Sequence, residues 1–449
     1  MTNTDRSPPS QSVHPRSQVD RASDDINASV LGTRAELVSS DTFLAALDRL
    51  ALQHRADAGL SMTVHTPFCP SRCSACDRVA HISHESVEID RYLNHLDQEM
   101  ALASRRIGHG FSVAQLHFTG GTPNYLSNTQ LAHLRDMVDQ HFVLDDAADI
   151  SIDCSPSRSS LTQFELLAGL GVNSIRFEIR EFTSGTGRGL GRAYSPELMQ
   201  DAVMNARAAG VSNIIFDLAY GFPGQDLADV DAMIANIADL NPDRVFCHPF
   251  SLREQEFPHQ KILLREGNST LMTKMVLFSA LSEGLQSLGY VWVGINGFVK
   301  QGDRLDIAQR AQRLFVHRSG YSDVATTGAL GFGLGAVSEF PGVLIQNLAT
   351  LASWSGQIQS GEPPVWCGVF FTDQETAERE AISRLSANLV ASETSLLSDA
   401  NSGRMNRLQQ QGLIARANGQ LAVTVEGRVA LNELWSDASA LHRITKVID

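Results

Sequence analysis

The sequence predicts an α/β fold: a partial (β/α)6 TIM-type barrel followed by a mainly helical, winged-helix-like C-terminal domain. Three observations carry that prediction. From residue 60, six short apolar runs alternate with helix-length amphipathic runs, and a helical crossover between successive strands makes them parallel. Cysteines, glycines, carboxylates and arginines follow the ends of those runs, where barrels collect their working groups. Residues 319–449 break the alternation and end in a helix followed by a hairpin.

The strands are expected at 62–66, 114–119, 149–154, 174–179, 214–218 and 244–248, each rich in Val, Ile, Phe and Leu and bounded by turn residues. Helical spacing of apolar residues places helices at 87–105, 129–142, 161–170, 196–208 and 227–240. In the last of these, Val230, Ile234 and Ile237 share a face and Asp226 caps the start. Gly171 and Gly210 fall where helix ends favour a positive φ. Further on, Thr372 caps a helix through Leu385, and 404–411 reads as another. Asn418-Gly419 between 413–416 and 420–424 is a two-residue hairpin signal. The division is therefore 1–57 as a disordered tail and N-terminal extension, 58–318 as the barrel and 319–449 as the C-terminal domain.

Composition narrows the partners. The 449 residues are 43% hydrophobic and 19% charged, with a formal charge of −14, and no basic run offers a nucleic-acid footprint. The hairpin unit is thus read as structural or as a lid. No apolar run is long enough to span a bilayer. Residues 1–28 lack the apolar segment of a signal peptide and read as disordered. The expected setting is the cytoplasm, with reduced thiols and no membrane partner.

Half of the six cysteines lie in Cys69-Pro-Ser-Arg-Cys73-Ser-Ala-Cys76. Thiolates at this spacing suit three irons of a [4Fe-4S] cluster and leave the fourth iron open for chemistry. The alternative is a structural zinc with His65, His81 or His84 as fourth ligand, although such sites usually use two paired knuckles far apart in sequence. Cys154, Cys247 and Cys367 sit among apolar neighbours and read as core residues. The second element, Gly120-Gly121-Thr122-Pro123, is by itself a turn; after strand two of a barrel carrying a cluster, it suits close approach of a ligand.

Val64-His-Thr-Pro-Phe-Cys69, the triplet and the Gly-Gly-Thr-Pro turn resemble radical SAM (S-adenosylmethionine) enzymes, and within them the oxygen-independent coproporphyrinogen III dehydrogenase family. Ser151-Ile152-Asp153, Leu190-Gly191-Arg192, Asp217 to Gly224, Asn241 to Arg244, Gly331 to Gly335 and Val425 to Arg428 extend the resemblance over residues 58 to 440. The resemblance implies that Cys69, Cys73 and Cys76 ligate the cluster. It implies that SAM chelates the open iron, with Gly120, Gly121 and Thr122 along its methionine end. Asp153 would accept from its amino group, and Arg192 would pair with its carboxylate. Asp217 would face the ribose or the SAM charge, with Phe68 and Phe298 as apolar walls.

The departures bear on the substrate. Arg78 stands where the porphyrinogen enzymes carry a further Cys. Thr63 replaces a Tyr, Thr119 a Gly and Arg180 a Gln; Asn296-Gly297-Phe298 replaces Asp-His-Phe, and the N-terminal Tyr/Pro-rich stretch is missing. Arg180 and Glu181 are the candidate catalytic pair, with Arg180 either holding a substrate anion or pairing with Glu178 or Glu181. The expected function is radical methylation, cyclopropanation or a related transfer on a small molecule. It would use the cluster, one or two SAM molecules and a one-electron donor such as flavodoxin or ferredoxin. The alternatives are oxidative decarboxylation of coproporphyrinogen III and, in another class, a haem-binding chaperone.

Overall fold

The computed structural model describes residues 34–435 apart from 54–57, 109, 184–188, 268 and 394–398. The tail expected at 1–28 lies outside the described residues. Six strands, β2 (Gly59–Thr66), β3 (Ser112–Gly120), β4 (Val143–Cys154), β5 (Ser174–Ile179), β6 (Asn213–Tyr220) and β7 (Arg244–Pro249), lie side by side in chain order and pair in parallel. Between them run α2 (Ser86–Ile107), α3 (Asn128–His141), α4 (Leu161–Gly169), α5 (Pro196–Ala208) and α6 (Leu227–Leu240). Earlier in the chain are β1 (Glu36–Leu37) and α1 (Ser40–Leu52). This is the partial barrel that the alternating runs predict, with strands extended by a few residues at their ends.

Local chemistry sets the helix boundaries. Reciprocal side-chain and backbone bonds start α3 at Ser127 and Gln130, and α6 at Asp226 and Asp229. Gly171 and Gly210 follow α4 and α5 with φ of 85° each, the left-handed conformation that glycine takes without steric cost.

The sheet continues past the six strands on both sides. Beyond β7 come β9 (Gly297–Lys300) and β8 (Tyr290–Val293), antiparallel. Beside β2, β10 (Thr326–Phe332) adds a parallel strand, and β11 (Val337–Phe340), β12 (Val343–Asn347), β13 (Val365–Phe370) and β1 follow antiparallel. Residues 326–370 therefore extend the barrel sheet across the division expected at 318/319. No strand-to-strand motif marks that continuation in the sequence, because the pairing partner of β10 lies more than 250 residues earlier.

Each barrel strand has two faces. Val64, Leu116, Ile152, Phe177 and Phe216 point outward and pack with Leu96, Leu134, Phe164, Met199, Ile237 and Leu281 in one continuous core. The intervening positions, including His65, His117, Thr119, Asp153, Arg176, Glu178 and Asp217, face the interior of the barrel.

The described residues end in α7 (Asp373–Asn388), β14 (Val390–Ser392), α8 (Asp399–Gln410), β15 (Ile414–Ala417), β16 (Gln420–Val423) and α9 (Val425–Trp435). The three strands form a separate antiparallel sheet over Leu385, Met405, Leu408, Ile414 and Leu421. Asn418 and Gly419 turn the hairpin with φ of 53° and 73°. Asn388 bonds both backbone groups of Leu314, and Arg428 donates to Gly294 O while its guanidinium lies 3.8 Å from the Trp292 ring centre. The winged-helix-like unit thus docks against the β8 side of the sheet. No helix among the described residues is long and apolar enough to cross a membrane.

Candidate functional site

The cysteine loop leaves the C-terminal end of β2. Cys69 begins it in a short parallel ladder, Phe68–Cys69 with His81–Ile82. Cys69 is buried, and Cys73 and Cys76 are half-buried. Neighbouring loops brace this one from several sides. Ala75 N donates to Leu190 O at 3.3 Å and Ser74 Oγ to Gly189 O at 2.7 Å. Gln260 Nε2 donates to Cys76 O at 3.0 Å, and His259 Nε2 lies 2.7 Å from the same oxygen. Gly191 has φ of 71°, and a Cβ there would stand 2.5 Å from Cys73 Sγ. That cradle explains a glycine at this position.

These features fit a cluster held by thiolates. The donor set is three soft sulfurs on a loop braced by its backbone. Two of the histidines weighed for zinc are engaged elsewhere, His81 Nε2 at 3.0 Å from Glu88 and His84 Nδ1 at 3.1 Å from the Tyr125 hydroxyl, while His65 Nδ1 is buried without a hydrogen-bond partner. Among the described residues, no three His, Cys, Asp or Glu side chains converge on a position for one ion.

The glycine turn meets this loop through its backbone. Gly121 N donates to Thr66 O at 2.8 Å, Thr122 N donates to Phe68 O at 2.9 Å, and Thr122 Oγ1 lies 3.4 Å from Cys69 Sγ. A Cβ at Gly120 or Gly121 would stand 2.6 Å from Thr66 O or Phe68 O. The two glycines are therefore required by the crossing of two backbones; the sequence reading gave ligand approach as their reason.

Inside the barrel the charged side chains form two groups, one around Glu178 and one around Asp217. Glu178 is the hub of the first. Arg180 donates through Nε and Nη2 to Glu178 Oε1 at 3.2 and 2.9 Å, and through Nη1 to Leu190 O. Arg78 Nη2 and Arg192 Nη1 each lie 2.9 Å from Glu178 Oε2. These two contacts are ion pairs by distance, yet no N–H is aligned on Oε2, which has no hydrogen-bond partner. Arg78 Nη1 also donates to Asp153 Oδ2 at 2.9 Å and to Thr119 Oγ1 at 3.2 Å. Thr119 donates to the same Asp153 oxygen at 2.6 Å. Arg176 makes two bonds of 2.9 Å to Asp217, and His248 Nε2 lies 3.4 Å from Asp217 Oδ1.

Burial opposes ionisation of Glu178 and Asp217, but the guanidiniums of Arg192, Arg78 and Arg180 around the first, and of Arg176 on the second, hold both carboxyls well below the usual range. Burial also pushes the Asp153 carboxyl up; nearby His117 and Arg78 outweigh it and leave the group low. His65 and His117 are pushed down to about 3 and about 4, chiefly by burial, so both are neutral near pH 7.

The site residues expected from sequence distribute unevenly over this architecture. Cys69, Cys73, Cys76, Gly120, Gly121, Thr122, Asp153, Arg192 and Asp217 gather at the C-terminal ends of β2 to β6, with Arg180 beside them. Arg192 has φ of 53° and donates to Gly121 O at 2.9 Å, which ties it to the glycine turn. Arg180 is 4% exposed and paired with Glu178, the ion-pair outcome of the two weighed. Glu181 lies in a short ladder, Glu181–Phe182 with Ala193–Tyr194. The two apolar walls are corrected: Phe68 is enclosed by Tyr92 and His81, and Phe298 by Trp292 and Phe278. Both are wholly buried in packed aromatic groups, so they contribute packing. The roles of Arg78, Arg176, Glu178 and His248 were missed. Charged residues at alternate positions of an otherwise apolar strand, Arg176 and Glu178, are the signal that points to a polar interior.

Comparison with known proteins follows the same lines. Residues 63–237 match the model of the Radical SAM superfamily. An oxygen-independent coproporphyrinogen III oxidase of Synechocystis is 30% identical over 390 residues, covering 84% of each chain. Its Escherichia coli counterpart is 27% identical over 329 residues, covering 73% of this chain and 72% of its own. The solved structure of a coproporphyrinogen III oxidase from Escherichia coli, described as a radical SAM enzyme, superposes with a TM-score of 0.78 at 24% identity. That match covers 90% of this chain and 95% of the other.

Proposed function

The chain belongs to the oxygen-independent coproporphyrinogen III oxidase family of radical SAM enzymes, and from that premise we propose that it oxidatively decarboxylates a small-molecule substrate of the coproporphyrinogen III class. The observation that carries the proposal is a relative of that name matched along 84% of the chain, with the cysteine loop intact at the end of β2. Methyl or methylene transfer, favoured by the sequence reading, has less support, because the relatives are named oxidases.

In this reading Cys69, Cys73 and Cys76 hold a [4Fe-4S] cluster. Bound there, the cluster and SAM supply reductive cleavage of SAM to an adenosyl radical able to take a hydrogen atom from substrate. The chain positions the reactants. The hydrogen bonds from Ala75 N and Ser74 Oγ to residues 189–190, and from Gln260 Nε2 to Cys76 O, hold the loop still. Gly120, Gly121, Thr122, Asp153, Arg192 and Asp217 are proposed to line one or two SAM sites. The buried ion pairs around Glu178 and Asp217 keep interior charges compensated where water is scarce. A flavodoxin- or ferredoxin-like protein would deliver the electron.

A second reading, a different small-molecule substrate, is favoured by one observation: Arg78, Arg176, Glu178 and Asp217 crowd the interior with charge. One experiment addresses both. The cluster is reconstituted anaerobically, and SAM, dithionite and coproporphyrinogen III are added. Protoporphyrinogen IX with matching 5′-deoxyadenosine is expected. 5′-Deoxyadenosine without porphyrinogen conversion would move the assignment to the second reading. Tight haem binding with no SAM cleavage would replace both with the haem-chaperone alternative.

A further inference from the structure

Three guanidiniums, Arg78, Arg180 and Arg192, surround one carboxylate, Glu178. They are not equivalent. Arg180 is fixed by Glu178 and by Leu190 O, and its side chain is 4% exposed. Arg192 is fixed by Glu178 and by Gly121 O, at 14% exposed. Arg78 is 33% exposed and reaches the site from the loop itself, two residues after Cys76. Its guanidinium bridges Asp153 and Glu178, and its Nη1 also donates to Thr119 Oγ1 and Gly120 O. Those two carboxylates are the anionic groups it holds beside the cysteine loop and the glycine turn.

SAM carries a cationic sulfonium, one carboxylate, and an amino group that donates N–H bonds once it chelates iron. A cationic ligand entering this corner needs anionic partners. The partners on offer are Asp153 and Glu178, and both are already paired with Arg78. Glu178 Oε2 is crowded by two guanidiniums at 2.9 Å yet receives no aligned N–H, so its pairing with Arg78 is the weaker kind, without a directed hydrogen bond. Repulsion among three like charges also makes the most exposed of them the easiest to move.

We propose that Arg78 is a resident counter-cation: it competes with the sulfonium and the amino N–H groups of SAM for Asp153 and Glu178, and swings away from Asp153 when SAM binds. Arg78 is on this account a positioning residue that lowers SAM affinity in the resting chain and re-forms its bridge after release. The inference rests on the radical SAM reading of the site.

Equilibrium binding of SAM to the oxidised, fully iron-loaded protein tests it without turnover. Arg78→Met removes the charge and keeps the stem; Arg78→Gln removes the charge and keeps hydrogen bonding. Both are expected to bind SAM about tenfold more tightly than wild type, at equal iron content and with a cooperative melt. Should Arg78→Met fail to fold, Arg78→Gln carries the same test. Unchanged or weaker binding by a folded, iron-loaded variant overturns the proposal, and weaker binding would assign Arg78 to the SAM carboxylate. If wild type and variants alike bind no SAM at full iron content, both the proposal and the reading beneath it fail. Equal binding by all sinks the role of Arg78 alone.

Discussion

The two faces of β5 place opposite demands on one strand. Ile175, Phe177 and Ile179 point outward, wholly buried among helix side chains. Arg176 and Glu178 point into the barrel, and each is paired with an opposite charge from a different segment. The outer face needs only volume and hydrophobicity, which many residues provide. On the inner face each charge depends on a particular partner, because an unpaired buried charge costs several kcal/mol. The outer face builds the barrel, and the inner face sets the charge pattern of its interior.

The largest expected effect separates those demands. Phe177→Ala should lower stability by about 3–5 kcal/mol through loss of packing and the cavity left behind. Glu178→Gln should cost a comparable ~3 kcal/mol, because three guanidiniums lose their shared anion. Urea unfolding of the cluster-free protein measures both. The comparison breaks if Glu178→Gln is silent. It sharpens if SAM binding falls in Glu178→Gln while Phe177→Ala, under conditions where it is still folded, binds normally.

A second prediction moves from the strand to its loop. Gly191→Ala places a methyl group against Cys73 Sγ, where a Cβ has 2.5 Å of room. Iron content after reconstitution should fall at least several-fold, while the cluster-free chain loses only the ~1–2 kcal/mol that a Cβ costs at left-handed φ. Equal iron loading would show that the 190–192 loop yields freely and is no cradle.

The last effect is spread over several pH units. His65 and His117 are held at about 3 and about 4 by burial, below their unfolded value of about 6.5. Between those values the unfolded chain binds protons that the folded chain refuses, so stability is full above about pH 6.5 and declines as pH falls through that window. Each histidine contributes a slope of about 1.4 kcal/mol per pH unit at most. The Glu178 and Asp217 carboxyls lie below their unfolded range, so their contribution is present above about pH 4 and is lost beneath it. Melting of the cluster-free protein from pH 7 to 4 should show the decline, and His117→Gln should flatten part of it. An unchanged slope in His117→Gln would show that this imidazole takes a proton in the folded chain.

Much of the outer architecture was legible because it rests on local rules. Period-two and period-3.6 patterns located six strands and their crossover helices, Asp226 and Thr372 were correct caps, and Asn418-Gly419 was a correct turn. The cysteine triplet was legible because its three ligands are contiguous. Glu178 was harder to see: its partners Arg78 and Arg192 come from loops 100 and 14 residues away, and no spacing rule connects them. The aromatic walls failed for a related reason. Phe68 and Phe298 stand near functional motifs in sequence, but strand alternation and helix packing turn both rings into the core.

The sequence by itself determined the barrel's element order, the thiol loop and the kinship with radical SAM enzymes, since each depends on neighbours along the chain. Tertiary structure decided the rest. It placed residues 326–370 in the barrel sheet, gave the glycine turn its reason in a backbone crossing, and set Arg78 between Asp153 and Glu178. Those outcomes depend on which side chains meet across the barrel interior, and charge pairing over that distance is settled only when the chain has folded.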